Sequence, residues 1–119
     1  MATAELAAAI PTLVLVLFLA LSALATMTDQ VRCVDAARAT ARALARGDDE
    51  AVAVAAGRRL APSGAAFAVS SARSGAGSEV LVVVRGRPAP GLGWLGTHAR
   101  PTGRAVAARE ELGSDDASR

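Results

Sequence analysis

The run Leu13-Val14-Leu15-Val16-Leu17-Phe18-Leu19 lies inside an interval, Leu6 to Thr28, in which 23 successive residues carry no charge. Glu5 bounds the interval on one side and Asp29 on the other. As an α-helix rising about 1.5 Å per residue, the interval is ~34 Å long, enough to cross a hydrocarbon core of about 30 Å. It therefore predicts a membrane-spanning helix over residues 1–28. Pro11 falls in an early turn, where its missing N–H and its ring kink the helix, a defect that membrane helices tolerate better than soluble ones. A cleavable secretory signal is the rival reading, with Ala23-Leu24-Ala25 as the small-x-small site. Against it, no Arg or Lys precedes the apolar run, and Glu5 stands where such a signal carries positive charge. The run also exceeds the ~7–15 residues of a signal core.

Outward from this interval, the chain has 119 residues, room for about one domain. The hydrophobic class makes up 52% and aromatics only 3%, and 30 residues are Ala, which excludes a large aromatic-rich enzyme core. All 13 basic residues are Arg, against 11 acids, for a net charge of +2. The Arg residues are spread along the chain without the aromatic platforms of single-strand binders, so the basic balance points to a solvated face near anionic lipid headgroups rather than to nucleic acid. The residues after Thr28 are too few and too rich in alanine for a deep core. They predict a small module supported by the membrane or by partners.

Thr28 to Arg46 contains no Gly or Pro, so the helix continues into water as a soluble extension over residues 29–47. Met27, Val31, Val34, Ala41 and Leu44 recur at helical spacing and predict one packing stripe. Arg38, Arg42 and Arg46 form a separate ridge at i, i+4 intervals, partly offset by Asp35. Gly47 reads as the helix stop; Asp48, Asp49 and Glu50 then open a second helix, with negative charge where the helix dipole favours it. Val52, Ala56 and Leu60 give this helix an apolar edge, and Pro62 ends it. The period then changes. Phe67 and Val69 alternate with smaller residues, Ser74-Gly75-Ala76-Gly77-Ser78 forms a turn, and Val80-Leu81-Val82-Val83-Val84 reads as the most buried strand of a hairpin. A Pro/Gly loop from Pro88 to Gly96 leads to an edge strand from Thr102 to Arg109. The fold class is thus α+β: a long N-terminal membrane helix, a second short helix and an antiparallel sheet of about three strands. The head covers residues 48–112, and residues 113–119 form a polar, frayed tail.

Catalytic chemistry has few candidates, since there is one His, one Cys, no Tyr and no Lys. A Ser–His–Asp set would need His98 in the Gly/Pro loop, and no nucleophile-elbow pattern supports it. Cys33 and His98 cannot supply the three or four ligands of a metal site without scattered acids. Cys33 is open to acylation or a dimer disulfide, but a small packing residue on the helix is the better account. Gly91-Leu92-Gly93-Trp94-Leu95-Gly96 matches the GxGxxG dinucleotide pattern, yet Pro101 and an edge strand follow where that motif needs a helix inside a βαβ unit. A flexible loop exposing Trp94 as a candidate interface residue fits better. The expectation is no enzyme, no cofactor, no metal and no nucleic-acid partner.

Glu5 carries the most information. A charge drawn to the centre of a span costs about 2.5–3.5 kcal/mol, so the carboxylate either stays among the headgroups or finds a partner. In an assembly of parallel helices, that partner is the positive α-amino group of a neighbouring subunit. Arg32, Arg38, Arg42 and Arg46 lie just beyond the span with nothing basic before it, and the positive-inside rule taken literally puts the C-terminal part in the cytoplasm.

Ala2-Thr3-Ala4-Glu5-Leu6, the Ala/Leu/Val span with its early Pro11, and Gln30-Val31-Arg32-Cys33-Val34-Asp35-Ala36-Ala37-Arg38 with the Ala/Arg helix to Gly47 resemble the TadE-like minor pilins, or pseudopilins, of the tight-adherence type IV pilus system in its actinobacterial form. The similarity is strongest over residues 1–47; beyond them it is a loose helix-then-strands pattern ending in Arg104-Ala105-Val106-Ala107-Ala108-Arg109-Glu110. The resemblance implies a single-pass cell-membrane protein whose C-terminal part is extracytoplasmic and pilus-associated. Its role would lie in pilus assembly, secretion or cell adhesion. The implied partners are membrane lipid, other pilin subunits, pilus assembly platform proteins and a prepilin peptidase where a leader precedes Met1. Met1 would then be the first mature residue and Glu5 the assembly residue. A membrane-tethered or secreted extracytoplasmic binding module unrelated to pili is the alternative.

Overall fold

A computed structural model describes residues 2–74 and 77–109. The elements in chain order are α1 (Ala2–Ala45), α2 (Glu50–Arg58), β1 (Ala66–Ser74), β2 (Gly77–Arg85), a short 3-10 stretch (Gly93–Ala99) and β3 (Thr102–Arg109). The molecule is a rod with extents of 96 × 25 × 15 Å, the small head packing on the C-terminal part of α1. Met1 and the tail over 113–119 lie outside the described residues, as do the two central residues of the expected turn, 75–76.

α1 is a single helix of 44 residues that runs on through Pro11, and at about 1.5 Å per residue it is ~66 Å long. It is long and apolar enough to cross a membrane. Over its first half the large apolar side chains, Leu6 and Ile10 through Leu24, are exposed around the helix rather than packed on a protein core. Gly47 ends α1 as expected. With φ +89° it occupies the left-handed region; its N–H donates to the Leu44 carbonyl at 3.0 Å and the Asp48 N–H to the Ala43 carbonyl at 3.2 Å, the two bonds of a Schellman cap.

The second half of α1 packs, but on a different face from the one its largest apolar residues predict. Met27 and Val31 are 68% and 61% exposed, and Val34 is half-buried; of the expected stripe only Ala41 and Leu44 are buried. The buried face is instead Cys33, Ala36, Ala37, Thr40, Ala41, Ala43 and Leu44. Backbone proximity is the reason. A Cβ on Gly103 of β3 would strike the Cys33 carbonyl and lie 2.5 Å from the Val34 nitrogen, and one on Gly57 of α2 would strike Thr40 Oγ1 and lie 2.8 Å from the Ala36 carbonyl oxygen. Only small residues fit where backbones approach this closely.

α2 begins at Glu50, with Asp49 as its N-cap residue in an extended conformation, and Asp48 lies in the connection, where its carboxylate accepts from Arg46 Nη2 at 3.1 Å. Of the expected apolar edge only Ala56 is partly buried: Val52 is 59% exposed and Leu60 is exposed, while Ala53 and Gly57 are the buried residues. The helix closes at Arg58, before Pro62 is reached.

The sheet is an antiparallel meander in the order β1-β2-β3. β2 is central, and its register pairs Val82 with Val69 and Ala105, and Val84 with Phe67 and Gly103. Val80, Val82 and Val84 are buried toward α1, whereas Leu81 is exposed and Val83 half-buried, so the five-residue apolar run is covered on one face. Ser74 pairs with Gly77, which extends both strands into the expected turn.

Candidate functional site

The apolar half of α1 contains few polar side chains, and from Thr12 onward each of its hydroxyls is spent on a carbonyl. Thr12 donates to Ala8 at 2.9 Å, Thr26 to Ser22 at 2.9 Å and Thr28 to Leu24 at 3.1 Å, all one turn back in the same helix. Such back-bonding hides a hydroxyl where water is scarce. Ser22 differs. It is buried, and its Oγ donates at 3.1 Å to the carbonyl of Pro90, 68 residues away in the loop between β2 and β3.

That loop is built to reach back along α1. Its neck is closed by the Gly86 N–H donating to the Pro101 carbonyl at 2.8 Å, with Gly86 and Pro101 wedged against Cys33. Beside the neck, the Gln30 side chain clamps the start of β3: Nε2 donates to the Thr102 carbonyl at 2.7 Å and Oε1 accepts from the Thr102 N–H at 2.8 Å. At its far end, Gly91 has φ +80°, and a Cβ there would come within 2.5 Å of the Phe18 ring. Two inner bonds, Leu92 N–H to Ala89 carbonyl at 3.1 Å and Leu95 N–H to Leu92 carbonyl at 3.0 Å, shape the turn that follows. A 3-10 stretch with a kink at Gly96 then leads to β3, so the GxGxxG pattern opens no helix of a βαβ unit. Trp94 is 78% exposed at this end of the loop, and Leu95 beside it is also exposed.

The other expected residues take different positions. Glu5 is exposed in the first turn of α1, where Glu5, Ala8, Ala9, Thr12, Leu13 and Val16 border a shallow groove. Cys33 is fully buried and free, its Sγ 3.8 Å from the Pro101 carbonyl. Burial pushes its thiol above the ordinary range; the Gly86 backbone opposes this and Asp29 adds to it. A buried, protonated thiol suits the packing role and neither acylation nor a disulfide. His98 is exposed in the loop, and among the described residues no three His, Cys, Asp or Glu side chains gather as a metal site would require.

Sequence reasoning finds Glu5 and Trp94 as features but misses Ser22, Gln30, Phe18 and Thr102. Its available signal was slight: a serine inside a leucine-rich run is a polar group in need of a partner, and nothing local names that partner.

No family model matches the chain, and no solved structure matches it significantly. Among curated proteins, it is similar to the "Apoptosis inhibitor Rv3655c" of Mycobacterium tuberculosis, with 59% identity over 44 residues, 37% of this chain and 35% of that protein.

Proposed function

We propose that this protein is a single-pass membrane protein that serves as a minor-pilin-like structural component in the assembly of a tight-adherence type IV pilus or a related secretion apparatus, with no catalytic role of its own. The observation that carries the reading is the division of α1. One uninterrupted helix is apolar and largely exposed over its first half, has a carboxylate in its first turn, meets a single loop at Ser22, and is packed under the sheet and α2 from Cys33 onward. The apolar half is free for lipid first and for parallel neighbouring helices afterwards. The groove beside Glu5 is lined by Ala8, Ala9 and Thr12, and small residues of this kind let two helices approach closely where no hydrophobic effect drives them together.

On this reading Glu5 pairs with the α-amino group of a neighbouring subunit and sets the axial register, while Leu13 and Val16 supply packing. The head is extracytoplasmic. Its partners are membrane lipid, other pilin subunits, the assembly platform and, where a leader precedes Met1, a prepilin peptidase. The test is Glu5→Gln in the native membrane. Membrane content is expected to stay unchanged while co-purification of pilin-like subunits falls by about a hundredfold or more, as the ~3–5 kcal/mol cost of removing one partner of a desolvated charge pair predicts. Unchanged co-purification would leave α1 as a tether for a binding module.

A further inference from the structure

We propose that the loop over residues 88–99 is a second membrane element, which enters the headgroup layer of the leaflet nearest the head and holds Trp94 there against anionic lipid. The proposal rests on the reading of α1 as a membrane span.

Depth is the first argument. The loop is clamped at Gln30 and fastened at Ser22, eight residues and about 12 Å lower along α1, and its Gly91 lies against the edge of Phe18 one turn lower still. The charge-free interval of α1 ends at Thr28. Ser22 is therefore about 9 Å inside the end of the segment that lipid must cover, within the ~5–10 Å depth at which interfacial elements rest. A loop hydrogen-bonded at that level cannot stay clear of the bilayer while Leu6 to Thr28 occupies it.

Composition is the second. Trp94 and Leu95 are exposed and Leu92 is half-buried, an apolar tip on which the described residues leave the Trp94 ring largely uncovered. Tryptophan is the residue enriched at the membrane–water boundary, with its ring in the acyl margin and its N–H toward water. From Val80 to Arg109 there is no carboxylate, and there are five Arg. Arg100 is exposed next to the Gln30 clamp, about 3 Å beyond Thr28 along the helix, at the height of lipid phosphates. The third argument concerns the backbone. Pro88 and Pro90 have no N–H to desolvate, the Pro90 carbonyl takes the Ser22 hydroxyl, and the Ala89 and Leu92 carbonyls accept from Leu92 and Leu95. These groups need no water, and the rest of the loop backbone keeps its partners among headgroups and interfacial water.

Trp94 is the one tryptophan and the chain has no tyrosine, so intrinsic fluorescence reads this residue alone. The full chain is reconstituted in vesicles of phosphatidylcholine, with and without a quarter of phosphatidylglycerol, containing acyl chains brominated either near the glycerol or near the terminal methyl; flotation is measured in parallel. The expected result is vesicle flotation, blue-shifted emission, quenching by the shallow bromine that exceeds quenching by the deep one by roughly twofold, and stronger quenching with phosphatidylglycerol. Flotation with solvent-like emission overturns the proposal and leaves the span intact. Flotation with blue-shifted emission that neither bromolipid quenches also overturns it, because protein then covers Trp94. A chain that does not float overturns both the loop proposal and the span.

Discussion

Gly103 decides how near the sheet comes to α1. A Cβ at this position would meet the backbone of Cys33 and Val34, which cannot swing aside as a side-chain tip can. Gly103→Ala is therefore expected to lower the unfolding free energy of the head by roughly 1–3 kcal/mol, read as faster amide exchange across β2 and β3. Gly47→Ala makes a useful comparison, because there the space is open and only the φ of +89° opposes a side chain. About 1 kcal/mol or less is expected from it. Cys33 offers a second check. With its thiol pushed up by burial, the neutral form is the one the fold holds. Alkylation at mildly alkaline pH should be slow in the native protein and fast in denaturant. The sign for stability follows: the contribution is whole below the ordinary thiol range and is lost as pH rises through the elevated native value. Little of this is legible in sequence, where Gly103 and Gly57 are visible as glycines but the backbone each one faces is not.

Among the elements, the apolar half of α1, the Gly47 stop, the hairpin and the third strand could all be read in advance, because a charge-free run, a left-handed cap and period-two alternation are local signals. The packing faces could not. Periodicity weights the bulkiest apolar residues and so selects Val31 and Val52, while close approach of backbones selects Ala36, Thr40, Ala53 and Gly57, which carry almost no hydrophobic weight. The loop between β2 and β3 was legible as a loop, and its attachment to Ser22 was not, since 68 residues separate donor from acceptor. That attachment can be measured. Ser22→Ala leaves the Pro90 carbonyl without its donor, at a cost of about 1 kcal/mol, so amide exchange from Gly91 to Leu95 should quicken by about fivefold while the sheet amides hold their rates. No change in that segment would mean the bond does not fasten the loop. Gly91→Ala, with φ +80° and the Phe18 ring in the way, should loosen it further.

Across the whole molecule, an elongated helix carries a small sheet near one end, and the contact between them is made on the helix side largely by alanine, cysteine and threonine and on the sheet side by Val80, Val82, Val84 and Gly103. Length and charge distribution announced the proportions of this design. The folding of a distant loop back onto the helix needed the three-dimensional path of the chain. On the membrane reading, the full chain should stay with the bilayer through alkaline carbonate washing. Replacing Leu15 and Leu17 with Arg should release it, each charge costing about 2.5–3.5 kcal/mol at the centre of a span. Retention of the doubly charged variant would count against a span at those residues.

Between Pro11 and Gly47, α1 contains neither proline nor glycine and passes without interruption from its exposed apolar half into the half that bears the sheet. The molecule thus has no swivel. Each residue of helical twist is about 100°, so a neighbour that grips α1 one residue out of phase turns the head by more than a quarter circle. In the proposed assembly, the azimuth at which the outer face of the sheet, with Leu81 and Val106, points outward would be set by which helix face is gripped below, and torque applied to one end would be delivered to the other.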